Sequence, residues 1–131
     1  MAAAKKEKFH SEVPQEVYDM LDTVVEAHHD DLIDTEFLVL FKHGGWKSRG
    51  KTVFGKVQVL NDAFRRTMRK DVIIYLNADM WALLSKPQKN YVIDHQLYTL
   101  DLKYDRHDNV LEAPDGRPLL STVPPDIEAY T

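Results

Sequence analysis

The chain has 131 residues, 44% hydrophobic and 29% charged, with a formal net charge of −4 and no cysteine. That length holds one domain with a sizeable core and is too short for two. Lack of cysteine excludes disulfides and thiolate zinc sites, the mild acidity neither proclaims nucleic-acid binding nor resembles the dense acidity of a strong DNA mimic, and no apolar run is long enough to span a membrane.

The opening Met1-Ala-Ala-Ala-Lys-Lys-Glu-Lys lacks the apolar stretch of a secretion signal, so residues 1–10 read as a flexible lead-in to a single domain over 11–131 of a cytosolic protein. Ser11 and Pro14 open a predicted helix reaching about Ala27. Val17, Leu21, Val24, Val25 and His28 form its apolar stripe. Glu12, Glu16, Asp19, Asp22 and Glu26 recur on its acidic side, as a solvated face or as the carboxylate array of a DNA mimic. His28-His29-Asp30-Asp31 supplies four potential ligands in a row, but neighbours on a helix point about 100° apart and cannot all converge. The simpler reading is a polar helix end with a histidine at the negative pole of the dipole.

Residues 35–41 and 52–60 are predicted strands, rich in aromatic and β-branched side chains and paired as a hairpin by the glycine-rich turn 42–51. That turn gathers Lys42, Lys47, Arg49 and Lys51 around Trp46. Such a group suits a phosphate backbone with a stacked base, and exposed lysines equally protect hairpin edges from aggregation. Gly55 inside the second strand points to a bulge or a close backbone approach. Residues 61–68 form a short helix whose end carries Arg65, Arg66, Arg69 and Lys70, a second basic patch that also offsets the helix dipole. Val72-Ile-Ile-Tyr-Leu76 is the most apolar run and the predicted central strand. Asn77-Ala-Asp79 then caps a short helix over 80–84, with Trp81 as its core anchor.

Residues 85–100 are the stretch around which the chain is organised. Ser85 followed by Gln88 makes a capping box, and Pro87 suits a first helical turn. His95 and Thr99 stand four residues apart and share a helix face. A zinc peptidase needs that spacing for H-E-x-x-H, in which two imidazoles meet the metal and the glutamate activates water. Here the five positions read His95-Gln96-Leu97-Tyr98-Thr99: one imidazole, one amide, one hydroxyl. Beyond it, 101–105 alternates like a strand, 107–109 and 114–118 are turns, 119–123 is extended, Pro124-Pro125 breaks it, and 126–130 begins a helix. The expected architecture is α+β, a small mixed sheet with the N-terminal helix and the central site helix packed on it.

In this order the chain resembles the phage metallopeptidase family, small zincin-like proteins. Glu26-Ala-His-His-Asp-Asp-Leu is similar to the family's first-helix exit, and Phe37-Leu-Val-Leu-Phe with the basic turn to its first strand pair. Ile73-Ile-Tyr-Leu-Asn-Ala-Asp-Met-Trp81 and Leu84-Ser-Lys-Pro-Gln-Lys-Asn-Tyr-Val-Ile-Asp-His95 resemble the approach to its active helix. The tail Asp115-Gly-Arg-Pro and Pro125-Asp-Ile-Glu-Ala-Tyr130 resembles an ending closer to His-Asp-Val-Glu-Glu-Phe. The resemblance implies that the first zinc ligand is His95, that the catalytic Glu falls on Gln96, and that the second and third ligands fall on Thr99 and Pro125. A Gln amide takes no proton from water near neutral pH, and Thr and Pro offer none of the donors zinc prefers.

The expectation is therefore a pseudoenzyme with no catalytic residue, no metal and no cofactor, in the cytoplasm of an infected bacterium. It would bind a bacterial host protein and inhibit or redirect it, in host takeover or anti-defence, through a vacated cleft lined by His95, Gln96, Thr99 and Trp81. No membrane partner is expected. One alternative is association with nucleic acid, through Lys42, Trp46, Lys47, Arg49, Lys51, Arg65, Arg66, Arg69 and Lys70, or by acidic mimicry of DNA. The other is a residual peptidase whose metal site is rebuilt from Asp94, Asp101, His107 or Asp108.

Overall fold

The computed structural model describes residues 7–112 and 118–122. Most of the turn expected at 114–118, the Pro124-Pro125 break, the terminal helical turn and Pro125 itself lie outside the described residues. A four-stranded mixed sheet forms the centre, in the order β1 (Phe9–Glu12), β2 (Phe37–His43), β6 (Val72–Asn77), β5 (Gly55–Val59). β2 runs parallel to β6, whereas β1 and β5 pair antiparallel on the outside. Two small ribbons complete the strands: β3 (Lys47–Ser48) with β4 (Lys51–Thr52), and β7 (Leu100–Leu102) with β8 (Leu120–Thr122). The fold is α+β, as expected.

The hairpin expected between the second and third sheet strands does not form, because β6 lies between them. The reason is hydrophobic patterning. Every residue of Val72-Ile-Ile-Tyr-Leu-Asn is buried except the half-buried Tyr75, so both faces of β6 need cover and it takes an interior place. β5 alternates, with Val57 inward and Lys56 and Gln58 exposed, which suits an edge. The basic turn folds on itself as the β3–β4 ribbon. A second departure is β1, which takes residues 9 and 10 out of the expected lead-in. Ser11 and Glu12 belong to β1 as well, not to the first helix, so Glu12 is not part of an acidic helix face.

Helices α1 (Gln15–His28) and α4 (Lys86–Tyr98) pack on one face of the sheet. Val17, Met20, Leu21, Val24 and Val25 of α1 and Val92, Ile93 and Leu97 of α4 join Phe37, Val39, Val57, Val72, Ile74 and Leu76 in one core. β1 reaches only as far as Leu40 along β2, and the next inward N–H, that of Val39, donates to the Tyr18 hydroxyl at 3.0 Å. The helix α2 (Asp62–Met68) is capped by Asn61, which accepts from Phe64 N–H, and α3 (Ala78–Trp81) by Asn77, which accepts from Met80 N–H. No helix among the described residues is long and apolar enough to cross a membrane.

Candidate functional site

The capping box predicted at the start of α4 is formed. Ser85 N–H donates to Gln88 Oε1 at 2.8 Å, and Gln88 N–H donates to Ser85 Oγ at 3.4 Å. Two of the orphan donors of the first turn are thereby satisfied, and the helix starts at a fixed residue. Its inner side is set by Val92, Ile93 and Leu97, which reach the core and fix the rotation that presents positions 95, 96 and 99.

His95 is half-buried, its ring stacked on Tyr91 with centroids 6.3 Å apart. Gln96 is only 5% exposed and lies against the edge strand β5. The close backbone approach expected at Gly55 is found here. A Cβ on Gly55 would stand 2.9 Å from Gln96 Cδ and Nε2 and 3.0 Å from the Tyr75 carbonyl oxygen. Thr99 caps the C-terminus of α4, its hydroxyl donating to the Gln96 carbonyl at 2.6 Å. The helix ends at Tyr98, so position 99 turns its oxygen back on its own helix. Trp81, expected in the same cleft, is a core residue, 7% exposed, with Lys89 over its ring. Lys89 lies six residues before His95, about 9 Å along the helix axis.

Gly55→Ala is expected to destabilise the fold by about 1–3 kcal/mol, because the Tyr75 backbone cannot retreat as a side chain can. Adding Gln96→Ala should recover part of that loss. A denaturation double-mutant cycle measures the coupling, and strict additivity of the two changes would contradict the contact.

Sequence reasoning missed one polar pair. His29, 5% exposed, shares a 2.7 Å hydrogen bond with Asp94, and its ring meets Tyr98 edge-on at 4.6 Å. The expected apolar stripe ends on His28, and the structure leaves His28 exposed. His29 follows Val25 by four residues just as His28 follows Val24, so the periodicity admitted either. The chain leaves helical geometry at His29 (φ −138°, ψ 52°), and this carries its ring inward. Asp94 is thereby engaged. His107 and Asp108 lie in a turn held by Asp105, whose carboxylate accepts from the N–H groups of His107 (2.7 Å) and Asn109 (3.0 Å). Those bonds, the Asn109 one first, hold the Asp105 carboxyl below the usual aspartate value. Asp101 is exposed and accepts from the Leu102 N–H.

Zinc asks for three or four nitrogen, sulfur or carboxylate donors that converge. Among the described residues no group of three or more His, Asp or Glu is placed to hold a metal ion. The set around His95, one imidazole with an amide buried against Gly55 and a hydroxyl bonded back to its own helix, does not fit a zinc site.

The two basic patches have different fates. Lys47, Arg49 and Lys51 are exposed on the β3–β4 ribbon, and Lys42 places Nζ 4.4 Å from the Trp46 ring centroid. In the second patch Arg65 is no surface cation. It is 8% exposed, its guanidinium paired with Asp71 through Nε (2.9 Å) and the terminal nitrogen (2.8 Å). Arg66 pairs with Asp62 one turn back, and Arg69 forms the left-handed C-cap of α2. The acidic positions Glu16, Asp19, Asp22 and Glu26 are all exposed on α1, with Glu16 and Asp19 across a groove from Lys86 and Lys89.

Fold and site together define an α+β protein in which one capped helix sets a lone imidazole and a buried amide beside the edge of a small mixed sheet. A family model described as "Putative phage metallopeptidase" matches residues 9–131, and the chain belongs to that family. Neither a curated protein nor a solved structure matches it.

Proposed function

We propose that this chain is a catalytically silent phage metallopeptidase-like protein that acts in the infected cell by binding a bacterial host protein and inhibiting or redirecting it. The observation that carries this reading is the chemistry of the site helix. His95 offers a single imidazole, Gln96 packs its amide against Gly55, and the Thr99 hydroxyl is spent on the Gln96 carbonyl. The remaining ligand position of the resemblance is Pro125, which has no side-chain donor. An amide cannot serve as general base, and one imidazole cannot hold zinc. What such a scaffold still offers is its surface. Tyr91 and Tyr98 flank His95 on α4 and are 70% and 64% exposed, a residue type enriched at the energetic centres of protein interfaces.

Zinc titration of the purified protein by calorimetry, with a peptide-hydrolysis assay beside it, tests the catalytic half. No stoichiometric zinc and no cleavage are expected. Affinity capture from bacterial lysate tests the other half, with one host protein recovered in stoichiometric amount and retained by His95→Ala. Tight zinc at one equivalent, with cleavage that His95→Ala abolishes, would restore the peptidase and end this reading.

A further inference from the structure

The stretch 37–60 carries Lys42, Lys47, Arg49, Lys51 and Lys56 and not one Asp or Glu, in a chain whose net charge is −4. Charge is therefore segregated along the sequence. The β3–β4 ribbon closes through Arg49 (φ 53°) and Gly50 (φ 79°), the two positive-φ positions of a type I′ turn. Asn-Gly is the favoured pair there. An arginine at the first position holds a left-handed backbone against its own preference and sits at the ribbon's tip. Behind it Lys51, on the face shared with Ser48 and Trp46, and Lys47, on the other face beside Thr52, are exposed like Arg49, and among the described residues no carboxylate pairs with any of the three.

Trp46 lies at the base of the ribbon, half-buried, under Lys42 Nζ. That base is fastened to the end of β6 and to α3. Val53 N–H donates to the Trp46 carbonyl at 3.0 Å, Asn77 Nδ2 donates to the Val53 carbonyl at 2.8 Å, and Gly45 N–H donates to Asp79 Oδ2 at 2.9 Å. The cations and the ring are thus mounted on a positioned platform. Gly44, at φ 99°, lets the chain pass so near residues 7 and 8 that a Cβ there would fall 2.9 Å or less from their backbone. Protection of a sheet edge needs a charge or two, and it does not call for an aromatic ring among them.

We infer that this corner binds single-stranded nucleic acid, with Arg49 and Lys51 holding phosphates beside the exposed part of the Trp46 ring, which stacks on a base, and Lys47 reaching a further phosphate from the other face of the narrow ribbon. Unpaired bases present a face for stacking, which a duplex does not, and strands of two residues are too short to read a groove. The site is remote in sequence from α4 and stands whether or not the site helix is silent.

Fluorescence titration of the intact protein with a short oligothymidylate tests it, since Trp81 is 7% exposed and quenching reports on Trp46. Binding is expected with a Kd of order 10⁻⁴–10⁻⁶ M and a log–log salt slope of about −2, the value for three phosphates on a single strand. Reversing all three cations (Lys47→Glu, Arg49→Glu, Lys51→Glu) should weaken binding at least about 100-fold with the thermal midpoint kept, because these side chains are exposed. Trp46→Ala should weaken it at least about fivefold without changing the salt slope, and Trp46→Phe should retain binding. A salt-independent affinity, indifference to the triple reversal, equal binding of polyglutamate or tighter binding of duplex DNA would each overturn the assignment.

Discussion

Asp71→Ala should lower stability by about 3–5 kcal/mol, a fall in Tm of roughly 10–20 °C, in urea and thermal denaturation. Asp71 stands just before β6 and joins four segments. Its carboxylate accepts the Arg65 guanidinium from α2 and the Glu36 N–H ahead of β2 at 2.9 Å. Its own N–H donates to the Glu36 carbonyl at 2.8 Å, and its carbonyl accepts from Leu60 N–H, after β5, at 2.9 Å. Asp71 is 3% exposed and Arg65 8%, so truncating the acid takes a buried carboxylate away from a buried guanidinium. The desolvation cost of that guanidinium, no longer offset by this carboxylate, sets the size of the effect more than the lost attraction does. Arg65→Met combined with Asp71→Leu should therefore be milder than either single truncation. A loss below about 1 kcal/mol for Asp71→Ala would mean that water reaches the pair and screens it.

Leu97→Ala should cost about 2–5 kcal/mol. Leu97 is 0% exposed and follows Gln96 directly, so its burial fixes both the depth and the rotation of the C-terminal half of α4. The two methyl groups and the methine that are removed leave a cavity that the neighbouring Ile93, Val92 and sheet residues fill only in part. Because Gln96 meets β5 across a contact of Cβ dimensions, the Gly55–Gln96 coupling should shrink in the Leu97→Ala background. Denaturation of the variant gives the first quantity, and the double-mutant cycle repeated within it gives the second. A cost under about 1 kcal/mol would show that the end of the helix is not held by this side chain.

Much of the site was legible locally. Ser85 and Gln88 announced where α4 begins, and Gly55 announced a close approach without saying to what. That Gln96 is the neighbour of Gly55 could not be read, since 41 positions separate them and only the docking of α4 on the sheet edge joins them. His29 was misplaced for a related reason. Helical period permits His28 or His29 on the inner side, and the choice is made by one non-helical residue and by Asp94, 65 positions away. Arg65 looked like a surface cation because a run of Arg and Lys at a helix end is ordinary chemistry for solvent. Its burial follows from Asp71, which is inside because β6 is.

By itself the sequence determined the α+β class, the capped helix, the inventory of groups at 95, 96 and 99, and the basic, acid-free stretch with its tryptophan. These are properties of composition, spacing and local hydrogen bonding, which act over a few residues. Only the tertiary structure decided strand order, the insertion of β6 between β2 and β5, the use of residues 9–12 as an edge strand, and which polar groups are buried in pairs. Those outcomes depend on which apolar faces cover one another, and burial is a competition among all segments at once. The most continuously hydrophobic strand took the interior, and every other placement, including that of the site helix over the β5 edge, followed from it.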